Sequence, residues 1–119
     1  MTITRSAGAA SAALAGVLLL AGCGPAAPSP AGTWGSSQAG EPQLVLDANG
    51  ALNGTDGCNR LMGSWSRKDG TITFGQVAST RMACEGVDTW LVDLATAKVS
   101  GSTMRVFDAA GSEIGTLKR

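Results

Sequence analysis

The sequence predicts an α+β domain that is mainly β: a small antiparallel sheet curled into a partial barrel, with one helix covering a face. Three observations point there. Short runs rich in Val, Ile, Thr and Leu recur between residues 32 and 118, separated by Gly-, Asn- or Asp-containing turns. One stretch, Asp88 to Lys98, abandons that rhythm for helical spacing. The chain has 119 residues, enough for one domain with a small core. Many short strands and one amphipathic helix are most simply buried as a curled sheet with the helix against it.

Each element has its own local reason. Gly32-Thr33-Trp34-Gly35 reads as a short first strand, and Gln43 to Leu46 as a second. Asp47-Ala48-Asn49-Gly50 is a turn ending in two residue types that tolerate positive φ, and Ala51 to Thr55 is its hairpin partner. Ser64 to Arg67 and Thr71 to Phe74 flank the turn Lys68-Asp69-Gly70. In the second of these, Ile72 and Phe74 share one face while Thr71 and Thr73 take the other. Val87, Trp90, Leu91, Leu94 and Ala97 then recur at helical spacing. Asp88 and Lys98 suit the two ends of a helix dipole, so a helix of about three turns is expected over 88–98, stopped by Gly101. Thr103 to Phe107 and Glu113 to Lys118 form a last hairpin about Asp108-Ala109-Ala110-Gly111, where Gly111 supplies the left-handed position. Trp34, Trp65 and Trp90 are expected in the core, Trp90 above all.

The amino-terminal part reads differently. Arg5 and the chain terminus form a small positive region, and residues 9–21 are an uncharged run of Ala, Leu, Val, Gly and Ser. That run falls short of the roughly 20 apolar residues a membrane-spanning helix needs, but it has the length and flanks of a signal peptide. It ends in Leu20-Ala21-Gly22-Cys23, which resembles the lipobox of bacterial lipoproteins. The resemblance implies cleavage after residue 22 and a lipid on the Cys23 thiol. Two acyl chains hold a protein on a membrane where one does so only marginally. The expected organisation is a signal peptide at 1–22, the lipidated Cys23 with a Pro/Ala-rich spacer to residue 31, and one domain over 32–119. The location that follows is the extracytoplasmic face of a cell membrane.

Composition narrows the chemistry. Nine basic residues balance nine acidic ones, and loss of Arg5 with the leader leaves eight against nine, a net charge of −1. No basic stripe for nucleic acid is present. There is no His and no Tyr, which removes a His general base, a Ser-His or Cys-His pair and His metal ligands. With no phosphate loop or metal box either, the sequence favours a non-enzymatic protein without a cofactor.

The richest region runs from Asp56 to Glu85. It contains Asp56-Gly57-Cys58-Asn59-Arg60, then Gly63-Ser64-Trp65, then Thr80-Arg81-Met82-Ala83-Cys84. The pairing of Gly-Cys-Asn with Thr-Arg-Met-Ala-Cys resembles the META domain (HslJ-like) family. Gly32-Thr33-Trp34 and the closing strand pair match the same family pattern, so the resemblance spans nearly all of residues 32–118. It implies a conical, barrel-like sheet with a helix. META domains are similar in architecture to the pilotin lipoproteins of secretion systems, which bind a lipid or a partner peptide. The resemblance brings an association with stress, and no catalytic residues.

Read for themselves, Cys58 and Cys84 are the two cysteines that remain once Cys23 is lipidated. In an oxidising compartment an even pair reads first as a disulfide, worth about 3.5 kcal/mol in the chain-entropy model. Two buried thiols are the alternative. Asn59 is expected in a left-handed turn with its amide satisfying backbone groups, and Thr80 bonding backbone at a strand end. Arg81 is either solvated or a cation at the barrel mouth. Asn59, Arg60, Thr80 and Arg81 are the candidate binding residues. Asp56 and Glu85 are a carboxylate pair on paper, brought together if the bridge forms.

Three functions fit. The first is an envelope lipoprotein that binds a partner or supports the envelope under stress. The second is a lipid or peptide carrier, which needs an internal apolar cavity. The third is an inhibitor of a hydrolase such as lysozyme, presenting residues 53–63 as a rigid loop.

Overall fold

The computed structural model describes residues 28–119. Cys23, the leader and the start of the spacer lie outside the described residues.

Eight strands follow one another: β1 (Gly32–Gly35), β2 (Gln43–Leu46), β3 (Ala51–Thr55), β4 (Arg60–Lys68), β5 (Thr71–Ser79), β6 (Thr96–Ser100), β7 (Thr103–Phe107) and β8 (Glu113–Lys118). Each pairs antiparallel with the next, so the sheet is an up-and-down meander in sequence order. It curls until β8 lies beside β1, where the Leu117 side chain covers Gly35. Among the described residues no ladder joins β1 to β8. Arg119 fastens that seam instead: its guanidinium lies 4.2 Å over the Trp34 ring and donates to the carbonyls of Ala31 and Ser29.

Strand alternation fills the interior. Trp34, Leu44, Leu46, Leu52, Leu61, Ile72, Met104 and Val106 all point inward and are buried. Trp34 is the most deeply placed tryptophan at 0% exposure, with its indole N–H donating to the Pro30 carbonyl at 2.8 Å. Trp65 and Trp90 pack against the core from its margins. Pro30 is itself buried and Arg67 donates to the Pro28 carbonyl, so residues 28–31, the end of the expected spacer, are part of the packed domain.

Two β-bulges shape the barrel. Gln76, at φ 50°, and Val77 stand opposite the single residue Gly63, and Ile114 is the extra residue between Glu113 and Gly115, the partners of Phe107 and Val106. A Cβ at position 63 would come within 2.9 Å of the Gly75 carbonyl oxygen and of the Val77 Cα, so the first bulge needs glycine opposite it.

The covering helix expected over 88–98 is not formed. Trp90–Asp93 makes one turn of 3-10 helix, Leu94 is extended at ψ 135°, and Thr96–Ser100 is strand β6. The apolar residues go where their spacing sends them: Leu91, Leu94 and Ala97 are all buried. A tight turn followed by a strand presents the same residues inward as a helix face. Two conditions decide between them. No side chain caps the turn at Thr89, whereas a three-turn helix must overcome a costly nucleus. The Trp90 ring also lies against Gly115 of β8, where a Cβ would sit 2.7 Å from three ring carbons. That contact fixes the turn and frees Thr96 and Val99, both β-branched, to pair with β7. Gly101, expected as a helix stop, turns the β6–β7 hairpin at φ 62°.

Candidate functional site

The residues singled out between Asp56 and Cys84 converge at one end of the barrel. The β3–β4 hairpin tip carries Asp56 to Asn59, and the chain leaving β5 carries Thr80 to Cys84. Cys58 and Cys84 form a disulfide across these segments, with Cα atoms 5.9 Å apart. The expectation of a bridge is met, and the buried-thiol alternative is set aside.

Beneath the bridge is a polar lock. Asp56 is wholly buried, and its Oδ1 accepts from the backbone N–H of Cys58 at 2.9 Å and from that of Asn59. This is an Asx turn, in which a side chain imitates a backbone acceptor. Asn59, 8% exposed, reaches the other segment: its Oδ1 accepts from the Met82 N–H and the Thr80 hydroxyl, and its Nδ2 donates to the Met82 carbonyl. The Thr80 hydroxyl accepts in turn from the Arg60 N–H at 3.0 Å. Asn59 therefore does satisfy backbone groups, as expected. It does so without the left-handed conformation expected for it, since only Asp69 and Gln76 among the described non-glycine residues have positive φ. Thr80 bonds backbone at the strand end, also as expected. Arg60 and Arg81 are exposed, and Glu85 is exposed while Asp56 is buried, so the two carboxylates occupy different environments.

One atom of the lock stands out. The second carboxylate oxygen of Asp56, Oδ2, is buried and has no hydrogen-bond partner. A buried polar atom without a partner is uncommon.

Two clefts flank the lock. One, of about 740 Å³, runs between the end of β5 and the 3-10 turn, with Asp56, Val77, Arg81, Met82, Val92 and Asp93 in its lining. The other, of about 590 Å³, lies over β2 and β3, with Val45, Asn53 and Arg60 in its lining. Asn59, Thr80 and Met82 border both. Met82 and Val92 are two of the three exposed large hydrophobic residues among those described, at 60% and 36%. The candidate binding residues Asn59, Arg60, Thr80 and Arg81 thus stand together, two as structural ties and two as exposed cations. Sequence reasoning missed Val77, Ser79, Val92 and Asp93, because the helix expected over 88–98 hid the gap beside β5. It noted Asp56 only as half of a carboxylate pair on paper, although Asp-Gly-Cys-Asn carries the Asx-turn signature.

The META domain family model matches residues 26–118. The chain belongs to the META domain family. Among solved structures, the chain is similar to the NMR structure of a protein from Burkholderia xenovorans, at 28% identity and a TM-score of 0.50. The likeness covers 66% of this chain and 63% of that one, so the chain spans somewhat under two thirds of that protein. A comparison with curated proteins gives no match.

Proposed function

We propose that this META domain is a membrane-anchored extracytoplasmic lipoprotein, non-enzymatic, that binds a partner protein and supports the cell envelope under stress. The anchor rests on the lipobox-like Leu20-Ala21-Gly22-Cys23. The observation that carries the binding role is the contrast between the inside of the barrel and its disulfide-locked end. The inside is filled by Trp34, Leu44, Leu61, Ile72 and Met104, each at 0–1% exposure. The locked end holds two open clefts with exposed Met82 at their shared border. Recognition on the outer surface suits that build better than carriage of a lipid inside it.

The hydrolase-inhibitor reading draws on the same end. Residues 56–59 are held by Asp56, Asn59 and the disulfide, which gives the tip the rigidity an inhibitory loop needs. It ranks second because the exposed apolar surface lies beside the tip, at Met82 and Val92.

The test is genetic. Cells lacking the gene should become sensitive to heat or to envelope-active drugs. The wild-type chain should restore tolerance and Cys23→Ser should not. Absence of any phenotype across envelope stresses, or full rescue by the unanchored variant, would overturn the proposal.

A further inference from the structure

The sheet has a break in its hydrogen bonding that the sequential strand order conceals. β5 and β6 pair only at Ile72↔Ala97 and Thr73↔Thr96, extended by the bond from the Phe74 N–H to the Ala95 carbonyl. Continued at that register, Val77 would stand opposite Val92. The chain instead departs at Leu94 into the 3-10 turn, and the cleft of about 740 Å³ opens in the place a strand would take.

The β4 side decides which backbone groups face that gap. Leu61 pairs with Ser79 and Met62 with Ala78, and the Thr80 N–H donates to the Arg60 carbonyl at 3.1 Å. In an antiparallel ladder, successive residues direct their N–H and C=O groups to opposite sides. Thr80 and Ala78 therefore bond toward β4, and Ser79 and Val77 present theirs to the cleft. Among the described residues no turn or ladder bond occupies these groups. Two residues with free donors and acceptors, spaced two apart, are the template for one more strand. The bulge at Gln76 limits that edge to a short length.

The surroundings define the guest. Met82 and Val92 offer apolar contact, and the exposed Arg81 and Asp93 add one charge of each sign beside the buried Asp56, with no ion pair to Arg81 or Asp93 among the described residues. A folded neighbour's sheet edge is impeded by the 3-10 turn that walls the cleft. A single extended chain is not. We propose that this cleft binds an extended peptide segment of a partner protein as an added strand along Val77–Ser79, with its apolar side chains on Met82 and Val92. The proposal rests on the partner-binding reading and gives it a site and a chemistry.

The test is photo-cross-linking of the full chain in the cells that make it. A photoreactive residue is placed at Arg81, in the cleft, or at Thr116, exposed on the outer face of β8. The Arg81 position should yield one adduct whose sequenced partner peptide comes from an extended, non-helical segment. Ser79→Pro, which removes an N–H the β4 ladder does not use, should cut that yield at least ten-fold, as should Val92→Glu. Near-ultraviolet circular dichroism of the tryptophans verifies the fold of each variant, and Val92→Glu decides the matter if the proline variant unfolds. An adduct only at Thr116 would overturn this site and leave partner binding standing. Adducts at neither position would overturn both. An adduct of twice the chain's mass, or one insensitive to both variants, would also overturn the proposal.

Discussion

Asp56 shows how much structure one side chain can organise. Its Oδ1 holds the Cys58 and Asn59 amides, which places the Cys58 thiol for its bridge and turns the Asn59 amide toward Met82. Leaving buried donors without an acceptor costs about 1–3 kcal/mol each, while an uncharged acceptor in the same place retains most of the bond. Asp56→Ala should therefore lower unfolding stability by about 2–3 kcal/mol. Asp56→Asn keeps one oxygen for the two amides and should cost about 1 kcal/mol. Urea unfolding followed by tryptophan fluorescence measures both. Equal losses in the two variants would mean that the carboxylate's charge, rather than its geometry, maintains the turn.

At the scale of elements, the short strands were legible because each carries its own signal. β1, β2, β3, β7 and β8 begin and end at the expected residues, since turn chemistry such as Asp47 to Gly50 and Asp108 to Gly111 brackets them. β4 and β5 run further than expected, to nine residues each, because Gly63 and Gly75 look like strand breaks in sequence but lie at a bulge in the barrel wall. The helix was misread for a different reason. Inward spacing at Leu91, Leu94 and Ala97 does not distinguish a helix from a tight turn leading into a strand. The contact that decides it joins Trp90 to Gly115, 25 positions away along the sequence. The cleft was illegible for the same cause: it exists because β6 starts late. Gly115→Ala should then cost about 1–3 kcal/mol by overpacking against the indole. Combined with Trp90→Ala, it should cost clearly less than the sum of the single changes. Strict additivity in thermal or urea unfolding would contradict the packing that holds the turn in place.

Across the whole molecule, three fasteners hold a small barrel whose sheet is incomplete. Arg119 clamps the β1–β8 seam, the Trp90 turn partly covers the β5–β6 gap, and the disulfide with its polar lock secures the open end. Each fastener joins segments distant in sequence, and the two that leave clefts beside them do so at the same end of the barrel. The even pair Cys58 and Cys84 made the disulfide readable from the sequence, whereas the packing of residues 28–31 onto the domain and the cleft beside β5 carry no sequence signature in this chain alone. The described residues form a stapled META barrel with a filled interior, to which the proposed function adds recognition at the locked end and an anchor at Cys23. Native mass spectrometry of the chain extracted from cell membranes tests that most directly. The chain should begin at Cys23, carry covalent lipid, be two hydrogens lighter than its reduced form and show no small-molecule adduct. A chain retaining Met1 or an unmodified Cys23 would contradict the anchor, and a stoichiometric non-covalent lipid would contradict recognition at the surface in favour of carriage within the barrel.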